Sequence, residues 1–251
     1  MSNKIKPLIA GNWKMNGFNA DLDQIEAIVA GLAARGRASC DVLICPPATL
    51  IAAASALCAN SSLMIGGQDC HVMDKGAHTG DISALMLADA GARYVIIGHS
   101  ERRHEHSEND GLVRAKSASA LKAGLIPIIC VGETRAERLG ALAITVVEQQ
   151  LDGSVPDLEP DQQIVVAYEP VWAIGSGQIP TSEDILLMHS SIREWLKNRF
   201  GERGSQVNIL YGGSMKAGNA QQILALDNVN GGLIGGASLR ARDFLGIIDG
   251  A

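Results

Sequence analysis

Ile164-Val165-Val166-Ala167-Tyr168 is a short aliphatic run. It is followed by Glu169-Pro170-Val171-Trp172-Ala173-Ile174-Gly175-Ser176-Gly177-Gln178, then by Thr181 and by apolar residues at Ile185, Met188, Ile192, Trp195 and Leu196. A second aliphatic run spans 207–211. Runs of this length rich in Val and Ile read as buried strands, whereas spacings of three and four residues trace one face of a helix. Thr181, with Glu183 and Asp184 in the turn after it, suits the positive end of that helix. The stretch is one β-then-α unit followed by the next strand.

The same alternation extends in both directions. Strand-like runs lie at 7–11, 42–45, 63–67, 94–98, 126–131, 164–168, 207–211 and 232–235, with helical stripes between them such as Leu22, Ile25, Val29 and Leu32. Eight units in 251 residues predict a closed α/β barrel, (β/α)8 with parallel strands, a fold whose usual length is about 250 residues. An open doubly wound sheet is the competing arrangement. It fits less well, because the first run leads into Gly11-Asn12-Trp13-Lys14 and not into a GxGxxG turn. No linker or low-complexity tract divides the chain, so one domain over 1–251 is expected.

Composition narrows the function. The 251 residues are 47% hydrophobic and 19% charged, enough to bury a large core without staples. With 21 Lys and Arg against 27 Asp and Glu, the net charge is −6, the wrong sign for general attraction to nucleic acids or anionic membranes. Neither is an expected partner, and an anionic ligand has to be held by local groups. Cys40, Cys45, Cys58, Cys70 and Cys130 include no CxxC pair, which points to reduced buried thiols in the cytoplasm, with neither a disulfide nor a metal site. The apolar run near the N-terminus, 7–10, is too short for a signal segment or a membrane span.

In a barrel of this kind the loops after the strands converge on one face, so residues just past each strand are site candidates. After the first run, Asn12 and Lys14 sit two apart; a lysine there also reads as a solvated charge. After the fourth run, Gly98-His99-Ser100-Glu101-Arg102-Arg103 places a histidine where it can exchange a proton near neutral pH, or merely opens a surface helix. His104 and His106 lie farther along that helix and read as surface residues. Glu169 ends an apolar strand and precedes an apolar loop, a setting in which closure desolvates a carboxylate and strengthens it as a base. The loop itself, 170–177, reads as a lid, since connecting loops are ordinarily polar. Two glycine pairs, Gly212-Gly213 and Gly235-Gly236, follow the last two strands, where backbone N–H groups and a following helix can take a phosphate.

Together, 11–16, 98–103, 167–177, 211–214 and 234–239 resemble the triosephosphate isomerase family over essentially the whole chain. The resemblance implies a TIM barrel that interconverts dihydroxyacetone phosphate and D-glyceraldehyde 3-phosphate through an enediolate, in glycolysis and gluconeogenesis, with no cofactor and no metal. On that resemblance Glu169 is the general base, His99 the electrophile, Lys14 the cation facing the developing oxyanion and the phosphate, Asn12 a neighbouring polar contact, and Glu101 a carboxylate near Lys14 and His99. The resemblance further implies a glutamate base paired with a neutral histidine, the tuning known for that family. Pro170, Val171, Trp172, Ala173, Ile174, Gly175, Ser176 and Gly177 match the lid. Gly175, Ser214, Gly235 and Gly236 are the expected phosphate grip. The resemblance also implies a homodimer, with Thr79 in the loop 68–81 close to the neighbouring subunit's site.

Departures from the family pattern are Ser176, Gln178, Ile179 and Pro180 at the lid's trailing end, His78 where an aromatic is common, and Asp81 where glutamate is. Two other functions stay in play at this point. One is a Schiff-base aldolase using Lys14, which Asn12 and Glu101 nearby disfavour. The other is a barrel that has lost catalysis, which the joint presence of Asn12, Lys14, His99 and Glu169 disfavours.

Overall fold

A computed structural model describes residues 5–36, 39–173 and 180–251. Within them strands and helices alternate in the predicted order: β1 Leu8–Asn12, α1 Leu22–Arg35, β2 Asp41–Cys45, α2 Ile51–Cys58, β3 Leu63–Gly67, α3 Ala84–Asp89 and β4 Tyr94–Ile97. Then follow α4 Ser100–Glu105, α5 Asp110–Lys122, β5 Ile126–Val131, α6 Arg135–Leu139, α7 Ala143–Ser154, β6 Val165–Tyr168 and α8 Ser182–Phe200. β7 Asn208–Tyr211, α9 Ala217–Leu224, β8 Gly231–Ile234 and α10 Ala241–Ile248 complete the chain. All strands are parallel, each pairs with the next, and β1 closes on β8 to form a barrel. The predicted (β/α)8 architecture is the one observed.

The strands are apolar on both faces because each face is covered. Leu8, Ala10, Leu43, Cys45, Ile96, Ile128, Cys130, Val165, Ala167, Leu210 and Leu233 fill the barrel interior. Their sequence neighbours, among them Ile9, Val42, Ile44, Ile97, Ile129 and Val166, pack outward beneath the helices with Ile25, Ile28, Val147 and Ile192. The two-residue period of a strand thus divides one hydrophobic run between two cores.

Strand ends differ from the sequence reading by a residue or so, and two differences matter. β1 extends through Asn12, which pairs with Cys45 and so sits on the sheet itself. Gly98, expected in the fourth strand, lies beyond it with φ +68, and a Cβ there would come within 2.7 Å of Val113. Only glycine makes that turn without strain, and the turn delivers His99 to the start of α4.

Helix α8 begins as read: the Thr181 N–H donates to Asp184 Oδ2 at 3.0 Å and the Asp184 N–H to Thr181 Oγ1 at 3.2 Å, a reciprocal cap. Ile185, Met188, Ile192 and Leu196 are buried as the stripe predicts, but so are His189 and Arg193. The Arg193 guanidinium donates to the carbonyls of Gly204 and Val207 and to the side-chain oxygens of Asn228 and Asn230. Burial away from any carboxylate pushes its pKa down to about 10. No helix among the described residues is long and apolar enough to cross a membrane.

Candidate active site

The first strand and its loop supply Asn12 and Lys14. Asn12 is buried, and its side-chain oxygen accepts the Lys14 N–H at 2.9 Å. Lys14 adopts φ +53, an uncommon conformation for a residue with a side chain. It is held there from the far side by Gln68, whose amide donates to the carbonyls of Lys14 at 2.8 Å and Cys45 at 2.9 Å. The constraint aims the ammonium group across the barrel mouth, where Nζ meets Glu101 Oε1 at 2.5 Å. Gln68, the first residue after β3, sits at a strand end and could have been found by the rule that found the others.

His99 caps α4, with its Nδ1 accepting the Glu101 N–H at 3.3 Å. That bond occupies the Nδ1 lone pair, so the neutral ring carries its proton on Nε2, aimed at Glu169 Oε1 at 2.8 Å. The other carboxylate oxygen of Glu169 accepts the Ser100 N–H at 2.9 Å. Both side chains are buried. Burial raises the Glu169 pKa, but the adjoining imidazole and the Ser100 N–H outweigh it and hold the carboxyl below its ordinary value. Burial lowers the His99 pKa, and the Glu169 charge more than offsets it, for a net upward shift.

Asn12, Lys14, His99 and Glu169 open into one cavity of about 330 Å³, together with Gly212, Gly213, Ser214, Gly235 and Gly236. Five stretches of chain read separately from the sequence therefore meet at the C-terminal mouth of the barrel. Glu101 lies beside this cavity and lines an adjoining groove that Lys14 and His99 share. Thr79 is elsewhere, exposed on the long loop 68–81, in which the only regular pairing is an isolated bridge from His71 to Ser83. That loop also gathers the side chains of His71, His78 and Asp81, a cluster the sequence reading did not single out. His71 Nδ1 there accepts the Met73 N–H at 3.1 Å, which places the neutral ring's proton on Nε2, facing the other two side chains.

The glycine pairs differ from expectation in one respect. Neither leads straight into an α-helix: α9 begins at Ala217, and a 3-10 turn over Gly236–Leu239 follows Gly235. What excludes side chains at the first pair is space. A Cβ at Gly212 would come within 2.9 Å of Glu169 Cγ, and one at Gly213 within 2.2 Å of the Tyr211 hydroxyl. Gly236 has nothing within 4 Å of where a Cβ would be, so its backbone faces open space.

At the root of the lid, Pro170 is buried and Val171–Ala173 form a 3-10 turn, of which Ala173 lines the cavity. Arg138 stacks over Trp172 at 4.3 Å and pairs with Glu133 and Asp184. The Tyr168 hydroxyl donates to Glu133 at 3.1 Å. The strand carrying Glu169 is thus tied to α6 and α8. Ile174, Gly175, Ser176 and Gly177, together with Gln178 and Ile179, lie outside the described residues.

The comparisons agree with this geometry. The family model described as triosephosphate isomerase matches residues 7–251. A triosephosphate isomerase of Afipia carboxidovorans is 60% identical over 249 residues, covering 99% of each chain. One from Rhizobium etli is 53% identical over 247 residues, covering 98% of this chain and 96% of the relative. The crystal structure of triosephosphate isomerase from Bartonella henselae superposes with a TM-score of 0.91 at 48% identity, covering 98% of this chain and 99% of that one. With a buried carboxylate and imidazole in contact at the mouth of a closed (β/α)8 barrel, and relatives aligned along its whole length, the chain belongs to the triosephosphate isomerase family.

Proposed function

We propose that Glu169, His99 and Lys14 perform the interconversion of dihydroxyacetone phosphate and D-glyceraldehyde 3-phosphate that goes with this family. The observation that carries the assignment is the 2.8 Å contact between His99 Nε2 and Glu169 Oε1, buried in the cavity that Lys14 lines. A C–H beside a carbonyl is a weak acid, so a catalyst has to supply a base at carbon and stabilise charge on oxygen. Glu169, ionised in the free protein, takes the proton. His99 Nε2–H donates to the carbonyl oxygen, and the Lys14 ammonium faces the negative charge that builds there. Glu169 returns the proton to the neighbouring carbon while His99 Nε2 gives its proton to the former carbonyl oxygen and takes up the proton of the adjacent hydroxyl, which completes the isomerisation and restores both side chains. This moves oxidation state between two adjacent carbons of one molecule, so no external electron acceptor is called for.

In the free protein His99 and Glu169 satisfy each other. Substrate has to exchange their mutual hydrogen bond for one from His99 to its carbonyl oxygen and a close approach of Glu169 to carbon. Asn12 flanks the reacting end. Glu101 anchors Lys14 and, through its backbone N–H, the His99 tautomer. Backbone N–H groups near Ser214, Gly235 and Gly236, with Gly175 from the lid, take the phosphate. The lid over 170–177 excludes water from the intermediate, with the Arg138 and Trp172 stack at its root. The ion pair of Lys14 with Glu101 also sets it apart from a Schiff-base lysine, which needs an apolar pocket or a second cation.

The whole chain, 1–251, serves as one domain, since one outer core runs continuously from β1 to α10. A homodimer in the cytoplasm completes the reading. The exposed loop carrying Thr79 is the partner-facing segment, and five buried free thiols suit a reducing compartment. The test is a coupled assay with each triose phosphate on the wild type and Glu169→Asp. Shortening the side chain retracts the carboxylate by roughly 1 Å, which is expected to lower kcat about 10²-fold. Near wild-type turnover in that variant would remove Glu169 as the base.

A further inference from the structure

The charges around the cavity do not by themselves favour a dianionic substrate. The chain carries −6 overall. Among the described residues lining the cavity, the charged side chains besides His99 are Lys14, Glu169 and Lys216. Lys14 is paired with Glu101 at 2.5 Å, and Glu169 adds a negative charge. Lys216 makes no ion pair among the described residues. It is exposed, two residues beyond Ser214 on the phosphate side of the cavity. Its backbone is fixed there by Asn219, whose side-chain oxygen accepts the Lys216 N–H at 2.7 Å and whose amide donates to the Ser214 carbonyl at 3.3 Å.

We propose that Lys216 is the recruiting cation of this site, drawing the substrate phosphate dianion to the Gly212–Ser214 side of the cavity without touching the reacting carbons. The inference rests on the triose-phosphate reading of the cavity and adds to it the group that offsets the protein's own repulsion. Its magnitude follows from Coulomb's law. A unit cation about 6 Å from a dianion in water changes the local concentration about 10-fold without salt, about 4-fold at 0.1 M ionic strength and less than 2-fold at 1 M.

The experiment measures kcat, KM and their salt dependence for both triose phosphates in the wild type, Lys216→Gln, Lys216→Glu and Lys216→Arg, with calorimetric binding of inorganic phosphate alongside. Lys216→Gln is expected to lower kcat/KM and weaken phosphate binding about 4-fold at 0.1 M salt, with the loss falling on KM more than on kcat and vanishing near 1 M. Lys216→Glu deepens the loss and Lys216→Arg restores the wild-type value. An unchanged kcat/KM in Lys216→Gln, or a loss that is independent of salt or confined to kcat, overturns the proposal. A wild-type protein that does not turn over either triose phosphate, yet loses phosphate affinity on Lys216→Gln, refutes the functional reading and leaves the recruiting role standing.

Discussion

Gly132→Ala probes the base of the site from behind. Gly132 follows β5, and a Cβ built on it would lie 1.8 Å from the backbone oxygen of Glu169. Gly132 cannot retreat easily, since Gln150 accepts its N–H at 2.8 Å and donates to its carbonyl at 3.0 Å. Glu169 is tethered as well, because its N–H donates to the Val131 carbonyl at 2.8 Å. Carbon and oxygen atoms essentially never approach closer than 3.0 Å in this setting, so a gap of more than about 1 Å has to open, largely by displacing the Glu169 backbone. A displacement of about 1 Å at a reacting group costs roughly 10²-fold, or about 2.7 kcal/mol of barrier. Overpacking adds about 1–3 kcal/mol of lost stability. The assay is kcat with each triose phosphate, beside the thermal midpoint. A folded variant with kcat within two-fold of wild type would refute the placement of Glu169. Gly212→Ala serves if the first variant does not fold. There the nearest atom is Glu169 Cγ at 2.9 Å, on a side chain that can rotate, with the Tyr168 carbonyl at 3.0 Å. About a 10-fold loss of kcat is expected, and an unchanged rate would count against the same placement.

Other expectations concern stability, motion and assembly. His189 is fully buried between Tyr168 and Tyr211, with Nδ1 at 3.1 Å from the Asn228 carbonyl. Burial pushes its pKa down to about 4, so the unfolded chain binds the extra proton between about 6.5 and 4. This contribution to stability is whole above about pH 6.5 and is lost as pH falls towards 4, for a total of about 3 kcal/mol. Urea unfolding between pH 7 and 4 should show a shallower acid decline in His189→Gln, and superimposable slopes would disprove the assignment. Pro180 is buried immediately before the Thr181 cap and fixes φ at the trailing end of the lid. Pro180→Ala is expected to change kcat or product release about two-fold or more; identical kinetics and loop exchange rates would show that the proline has no part in closure. Light scattering at micromolar concentration should give the mass of two 26.4 kDa chains, and a single-chain mass would rule out the homodimer.

The sequence by itself determined the architecture and the candidate residues. Strand and helix periods are local, and a barrel's active face follows from strand order alone. Position after a strand was enough to single out Asn12, Lys14, His99, Glu169 and the two glycine pairs. Tertiary structure decided what each of them meets. Lys14 reaches Glu101 across 87 residues and Ser100 meets Glu169 across 69, contacts fixed by how the strands stagger around the barrel. The same closure put His189 between two tyrosines, gave Arg193 four neutral acceptors in place of a carboxylate, and set Gly132 against the backbone of Glu169. No local pattern encodes these contacts. A helical stripe shows that a position faces inward, while the partner it finds there depends on the register of elements far away in the chain.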